Sequence, residues 1–141
     1  MNETTYQTYQ LQPVGWVQSP LTDRESAPKQ GDEGAPQARI VFRAELREAM
    51  ANLQVGDEVF VLTWLHQARR DVLSVHPRDD MSRQQEGVFS TRSSDRPNPI
   101  GLHPVIIESI EENVLTVRTL EAIDGTPVLD VKPILRSVHE R

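Results

Sequence analysis

Two arginines four residues apart, Arg92 and Arg96, stand in a stretch that reads Gly-Val-Phe-Ser-Thr-Arg-Ser-Ser-Asp-Arg-Pro-Asn-Pro-Ile-Gly from Gly87 to Gly101. The stretch opens as an apolar strand at Val88 and Phe89 and then turns polar. Pro97 and Pro99 fix their own φ and push Arg96 and Asn98 toward extended backbone, while Gly101 lets the chain bend where a side chain would not fit. Cationic donors on a stiffened loop suit an anionic or polar ligand. A rigid surface connection whose arginines pair with Asp95 or with more distant acids would use the same residues, and composition does not separate the two. Two more polar clusters accompany it. His66-Gln67 follows an apolar run, where a solvated strand-end histidine is the simpler reading. Asp124-Gly125-Thr126-Pro127, inside Leu120 to Asp130, is a turn with a mechanism, because glycine tolerates positive φ and proline resists helix.

Bulk properties and missing motifs remove several classes of chemistry. A net charge of −6 over 141 residues argues against a protein that coats nucleic acid non-specifically, so any basic surface must be local. Without cysteine there are no disulfides, thiolate metal sites or cysteine nucleophiles, which agrees with a cytoplasmic protein. The four histidines, His66, His76, His103 and His139, lack metal-ligand spacing, so no metal is expected. No Gly-x-Gly-x-x-Gly follows a strand, and neither Gly-Lys-Ser/Thr nor Gly-x-Ser-x-Gly occurs. No apolar run approaches the length of a membrane span, and the polar start lacks the pattern of a signal peptide.

The elements that must position these clusters are mostly strands. Residues 1–12 read as a flexible polar tail and 13–141 as a single domain. Strands are expected at Pro13–Val17, Ala38–Phe42, Glu58–Leu65 (the most hydrophobic, expected buried on both faces), Leu102–Ile110, Val114–Leu120 and Pro127–Val131. Leu46, Ala49, Met50 and Leu53 fall at helical spacing and predict one short helix over Ala44–Leu53. Leu21–Gln37, rich in Pro, Gly and charge, is too long for a casual turn. Ala68–Glu86 reads as loop with room for one short strand. With no βαβ alternation, the expectation is a mainly β fold: a small antiparallel β-barrel-like domain with one short helix and long loops.

Taken together, the stretch from Gly87 to Gly101 and the later Leu-Glu-x-x-Asp-Gly-Thr-Pro-Val-Leu-Asp-Val-Lys-Pro from Leu120 to Pro133 resemble the TsaA-like (TrmO) family. The resemblance runs from about Pro13 to Leu135 and includes Ser19-Pro20, Pro28-Lys29-Gln30-Gly31 and Trp64-Leu65-His66. It implies a small β-barrel that binds S-adenosyl-L-methionine near the contact of a homodimer, and methylation of N6 of threonylcarbamoyladenosine beside the tRNA anticodon. Methyl transfer to another RNA or a small molecule, and a non-catalytic cofactor-binding regulatory module, are the alternatives. Carried over by position, the cofactor would meet Pro28, Lys29 and Gln30, then Leu65 and His66, then Arg92 and Leu102, and finally Glu121, Ala122, Ile123 and Asp124. His66, Glu121 and Asp124 are candidate bases, with no choice among them. Ser94-Asp95, His103 and Ile134 depart from the family pattern. Longer bacterial members continue past the position of Arg141, which leaves the acceptor open.

Overall fold

The computed structural model describes residues 5–22 and 37–136. Strands form where β-branched and apolar residues alternate with polar ones, because alternate side chains then share one face. Eight result among the described residues: β1 (Gly15–Gln18), β2 (Ala38–Phe42), β3 (Glu58–Trp64), β4 (Ser74–Val75), β5 (Glu86–Gly87), β6 (Ile100–Glu111), β7 (Val114–Arg118) and β8 (Pro127–Pro133). Six of them close an antiparallel barrel in the order β1-β2-β7-β6-β3-β8, and β4 pairs with β5 in a separate ribbon. Inward residues fill the barrel: Val17, Ile40, Val59, Val61, Val105, Ile107, Leu115, Val117 and Val128 are each at most 2% exposed. Among the described residues no helix is long and apolar enough to cross a membrane.

The departures from the sequence reading have physical causes. β3 is not buried on both faces. Val59, Val61 and Thr63 point inward and are buried, whereas Phe60, Leu62 and Trp64 point outward and are half-buried. Among the described residues no second layer buries the outer side of β3, and both faces of a strand bury fully only under such a layer. The predicted helix is the tighter 3-10 form, Ala44–Met50, of which only Met50 is buried. Val88 and Phe89 form no strand but a 3-10 turn, Val88–Ser90, with Val88 buried and Phe89 85% exposed. Residues 5–13 carry no regular structure.

β6 is long enough to do two jobs. Its second half pairs with β7 from Ile106↔Arg118 to Glu111↔Val114, while its first half pairs with β3 alone, from Trp64↔Ile100 to Val59↔Val105. Pro104 lies in the half that has left β7, so its missing N–H breaks no bond on that side. The strand directions then divide the connections. Residues 65–99 and 119–126 join strands at one end of the barrel, where β1 also ends and β2 begins, and residues 43–57 and the tight turn at Glu112-Asn113 join them at the other.

Candidate functional site

Every described position carried over from the resemblance belongs to the first of these ends. Leu65 and His66 follow β3, Arg92 precedes β6, Leu102 is the third residue of β6, and Glu121 to Asp124 lie between β7 and β8. Pro28, Lys29 and Gln30 lie outside the described residues.

The stretch around the arginines is held by its neighbour in space, the segment after β3. The Leu65 amide donates to Pro99 O at 2.8 Å, and the Arg96 amide donates to Arg69 O at 3.0 Å. The Arg69 amide donates to Asp95 Oδ1 at 2.8 Å. Arg70 donates through Nε to Pro97 O at 2.7 Å and through Nη2 to Asn98 Oδ1 at 2.8 Å, and its guanidinium lies 5.1 Å from the Trp64 ring centroid. Arg70 therefore clamps the Pro-Asn-Pro unit to the strand end. The two arginines singled out by spacing have different jobs. Arg96 is a brace, donating Nη1 to the carbonyls of Thr91 and Ser93, each at 3.0 Å. Arg92 is exposed and makes no hydrogen bond or ion pair among the described residues. A cation on a braced loop with its donors unspent is available to a ligand.

The turn between β7 and β8 folds over the barrel end. Leu120, Ala122, Ile123 and Thr126 are buried, and the Thr126 hydroxyl donates to Ile123 O at 2.7 Å. Ala122 and Ile123 thus spend their side chains on the core and offer a ligand only backbone, while Asp124 is exposed. Gly125, at φ 84°, supplies the left-handed bend that the Asp-Gly signal predicts. Asp124 is tied to the chain just after β1: its amide donates to Leu21 O at 2.6 Å, and its Oδ1 accepts the Ser19 amide at 3.1 Å. Asp124 lines an open hollow of about 510 Å³ with Ser19, Pro20, Gln37 and Arg39. Neither Arg92, His66 nor Leu102 lines it. The structure brings the predicted residues to one end of the barrel in two groups, one beside β1 and β2, the other beside β3 and β6. Leu102 faces outward next to Leu62 and is 38% exposed.

Sequence reasoning missed an interior pair. Thr63 and His103 meet inside the barrel, Oγ1 to Nε2 at 2.8 Å, with Thr63 fully buried and His103 6% exposed. Gly101 makes the meeting possible, since a Cβ there would come within 2.5 Å of His103 Nε2 and closer still to Thr63 Oγ1. The glycine of the Pro-Asn-Pro-Ile-Gly motif is needed for this close approach; its φ is not in the left-handed region. Burial, and then the nearby positive charge of Arg92, push the His103 pKa down from 6.5 to about 4. The imidazole is therefore neutral at physiological pH. No signal in the sequence links positions 63 and 103, because the contact depends on the register of β3 against β6. Among the described residues no group of three or more His, Asp or Glu is arranged to hold a metal.

With the geometry in place, comparison with known proteins gives one consistent family. The domain described as the tRNA-methyltransferase O N-terminal domain matches residues 16–140. A protein of Methanothermobacter thermautotrophicus, named a probable S-adenosyl-L-methionine-binding protein, is 43% identical over 129 residues, 91% of each chain. An S-adenosyl-L-methionine-binding protein of Archaeoglobus fulgidus is 40% identical over 122 residues, 86% of each chain. The crystal structure of TrmO from Pseudomonas aeruginosa superposes with a TM-score of 0.71 at 28% identity, covering 96% of this chain and 62% of that one. The chain thus spans less than two thirds of that TrmO's length. A domain match over nearly the whole chain, with relatives 40% and 43% identical, shows that the chain belongs to the TrmO family.

Proposed function

We propose that the protein is an S-adenosylmethionine-dependent methyltransferase whose acceptor is N6 of threonylcarbamoyladenosine in the anticodon loop of tRNA. The observation that carries this reading is Arg92, exposed on a braced loop with its donors unspent, in a chain of the TrmO family. The residues fit the methyl donor. Its carboxylate suits the Arg92 guanidinium, whose planar fork donates to two oxygens. The backbone of Glu121 to Asp124 offers hydrogen bonds to adenine or ribose, and Leu65 and Leu102 offer apolar cover. When bound, the donor supplies a methyl group on a sulfonium. The protein's task is then to align that methyl with the acceptor nitrogen and to exclude water.

We further propose a homodimer. The outward side chains of β3 and the first half of β6 alternate into one uncharged apolar strip, Phe60, Leu62, Trp64, Ile100, Leu102 and Pro104, and Ile100 and Leu102 remain 43% and 38% exposed. Uncharged apolar surface of this kind favours a partner. A second copy seated on it would add its own groups beside Leu102, which supports a cofactor site built near the contact.

The test is methyl transfer from labelled donor into tRNA lacking the modification. Wild type is expected to label one modified adenosine. Arg92→Ala is expected to lower donor affinity about 10- to 100-fold, the loss of a hydrogen-bonded charge pair, with an unchanged melting temperature because Arg92 braces nothing. Donor binding with no label in any tRNA would end the reading of the acceptor. The names of the archaeal relatives speak only of binding the donor, which favours one rival: the same donor site serving a different acceptor. Methyl acceptance by total tRNA compared with that by a metabolite extract separates the two.

A further inference from the structure

Phe89 is the most exposed large apolar side chain among the described residues, at 85%. Its exposure is not the slack of a loose loop. Val88, one residue before, is buried, and its amide donates to Leu73 O at 3.0 Å. The Val88 carbonyl accepts both the Thr91 amide and the Thr91 hydroxyl, each at 3.0 Å, which closes the 3-10 turn. The Ser93 amide donates in turn to Thr91 Oγ1 at 3.2 Å, and Arg96 Nη1 holds Thr91 O at 3.0 Å. The turn thus presents the ring to solvent on a fixed base, although burying a ring of this size is favourable. Arg92 follows three residues later, so the two Cα atoms stand no more than about 11 Å apart.

The surroundings limit what could cover such a ring. Leu73, whose carbonyl holds Val88, is exposed and apolar, but Gln84, Gln85, Glu86 and Ser90 are exposed and polar. Two apolar side chains fall far short of the roughly 800 Å² that each side of a stable protein interface buries. A nucleobase asks for much less, since stacking takes one aromatic face and every base has one. Charge points the same way. Residues 65–99 hold six arginines and five acids, so this segment is net positive in a chain of net charge −6, and a polyanion meets least repulsion there. Methylation adds a demand of its own. An adenine in a loop must leave its stack to reach a methyl donor, and its neighbour then loses a stacking partner. We infer that Phe89 is a stacking platform for a nucleobase of the acceptor RNA, beside the donor site proposed at Arg92. The inference rests on the methyltransferase reading and adds to it a residue that holds the acceptor. Two bases offer the same flat face: the acceptor adenine and the base next to it.

The experiment measures binding of the full chain to an anticodon stem-loop RNA carrying threonylcarbamoyladenosine. Phe89→Ala and Phe89→Leu are expected to bind it about 5- to 100-fold more weakly, leucine failing because it has bulk but no π face. Phe89→Trp is expected to bind as tightly as wild type, and its added fluorescence to be quenched by the RNA. Melting temperature and affinity for S-adenosylmethionine should match wild type in all three, because the ring braces nothing. A loss seen also with the free nucleoside threonylcarbamoyladenosine identifies the acceptor adenine, and a loss confined to the stem-loop identifies its neighbour. Phe89→Leu binding the stem-loop as tightly as wild type, or Phe89→Trp left unquenched, would overturn the inference while methyl transfer stood. So would a changed oligomeric state of Phe89→Ala in sedimentation with RNA affinity intact, which would assign the ring to a contact between copies. Wild type that binds the donor but not the stem-loop would remove the acceptor reading and the inference together.

Discussion

The two ends of this barrel are built from the same strands and differ in almost everything else. At the end bearing Glu112-Asn113, backbone needs are met locally: the Phe42 amide donates to Asn113 O at 2.9 Å, and Asn113 Nδ2 returns a bond to Phe42 O at 2.6 Å. The Gly56 amide reaches Ile107 O at 2.8 Å, and Asp57 Oδ2 accepts the Gln54 amide at 2.9 Å. Its side chains seal the core. The opposite end carries the long connections, the buried polar pair Thr63–His103, and Arg92 with its donors unspent. One end closes the fold, and the other leaves the Arg92 donors without a partner among the described residues. A substitution should therefore separate stability from ligand binding according to the end it strikes.

Two glycines give the largest contrast. At Gly15, on the closing end, a Cβ would stand 2.5 Å from Val41 O and 2.9 Å from Phe42 Cα, both backbone atoms of the paired strand. Gly15→Ala is expected to cost about 3 kcal/mol by overpacking, and the protein that still folds should bind the methyl donor normally. Gly101→Ala meets side chains, which yield more easily, at an expected cost of about 2 kcal/mol. It should also weaken donor binding, because the strain falls beside Leu102, proposed as apolar cover for the donor. Thermal melts paired with calorimetric titration read both effects. Equal loss of binding in the two variants would erase the distinction between the ends.

Acid provides the next test. The folded His103 titrates near pH 4 against 6.5 for the ordinary imidazole. Between those values the unfolded chain takes up a proton that the folded chain refuses, so stability falls as pH drops through this window. The loss is on the order of 3 kcal/mol and is complete below about pH 4. Asp71 and Asp80, held below the usual carboxylate range by hydrogen bonds from Arg69 and Ser82, titrate below the window and do not blur it. Denaturant midpoints between pH 7 and 4 should show the decline in wild type and lose most of it in His103→Gln. The smallest effect belongs to the closing end. Asn113→Ala removes one bond to Phe42 O and is expected to cost about 1 kcal/mol, with donor affinity unchanged.

Much of the fold was legible because alternation is local. β2 was read to the residue, and β6, β7 and β8 within a few residues, since each carries apolar and polar positions in turn. β3 was found but misjudged, because a run of apolar residues does not say whether anything covers its outer face. Val88-Phe89 was misread for a related reason: two apolar residues fit a strand or a turn equally, and only Val88 finds a core to enter. At the site, the turn at Asp124-Gly125 and the stiffness of Pro97-Asn98-Pro99 were legible from residue chemistry. The division of labour between Arg92 and Arg96 was not, because it depends on which carbonyls the folded loop presents. Thr63 and His103, forty positions apart, could be joined only by strand register.

On the proposed function, one end of the barrel serves the methyl donor and the other does not. Backbone amide shifts followed during titration with S-adenosylmethionine test it directly. The perturbed residues are expected to fall within 65–70, 91–103 and 119–126, with 43–57 and 111–114 unmoved. Shifts centred on Gln54 to Asp57 or on Glu112 and Asn113, with Arg92 and His103 silent, would contradict it.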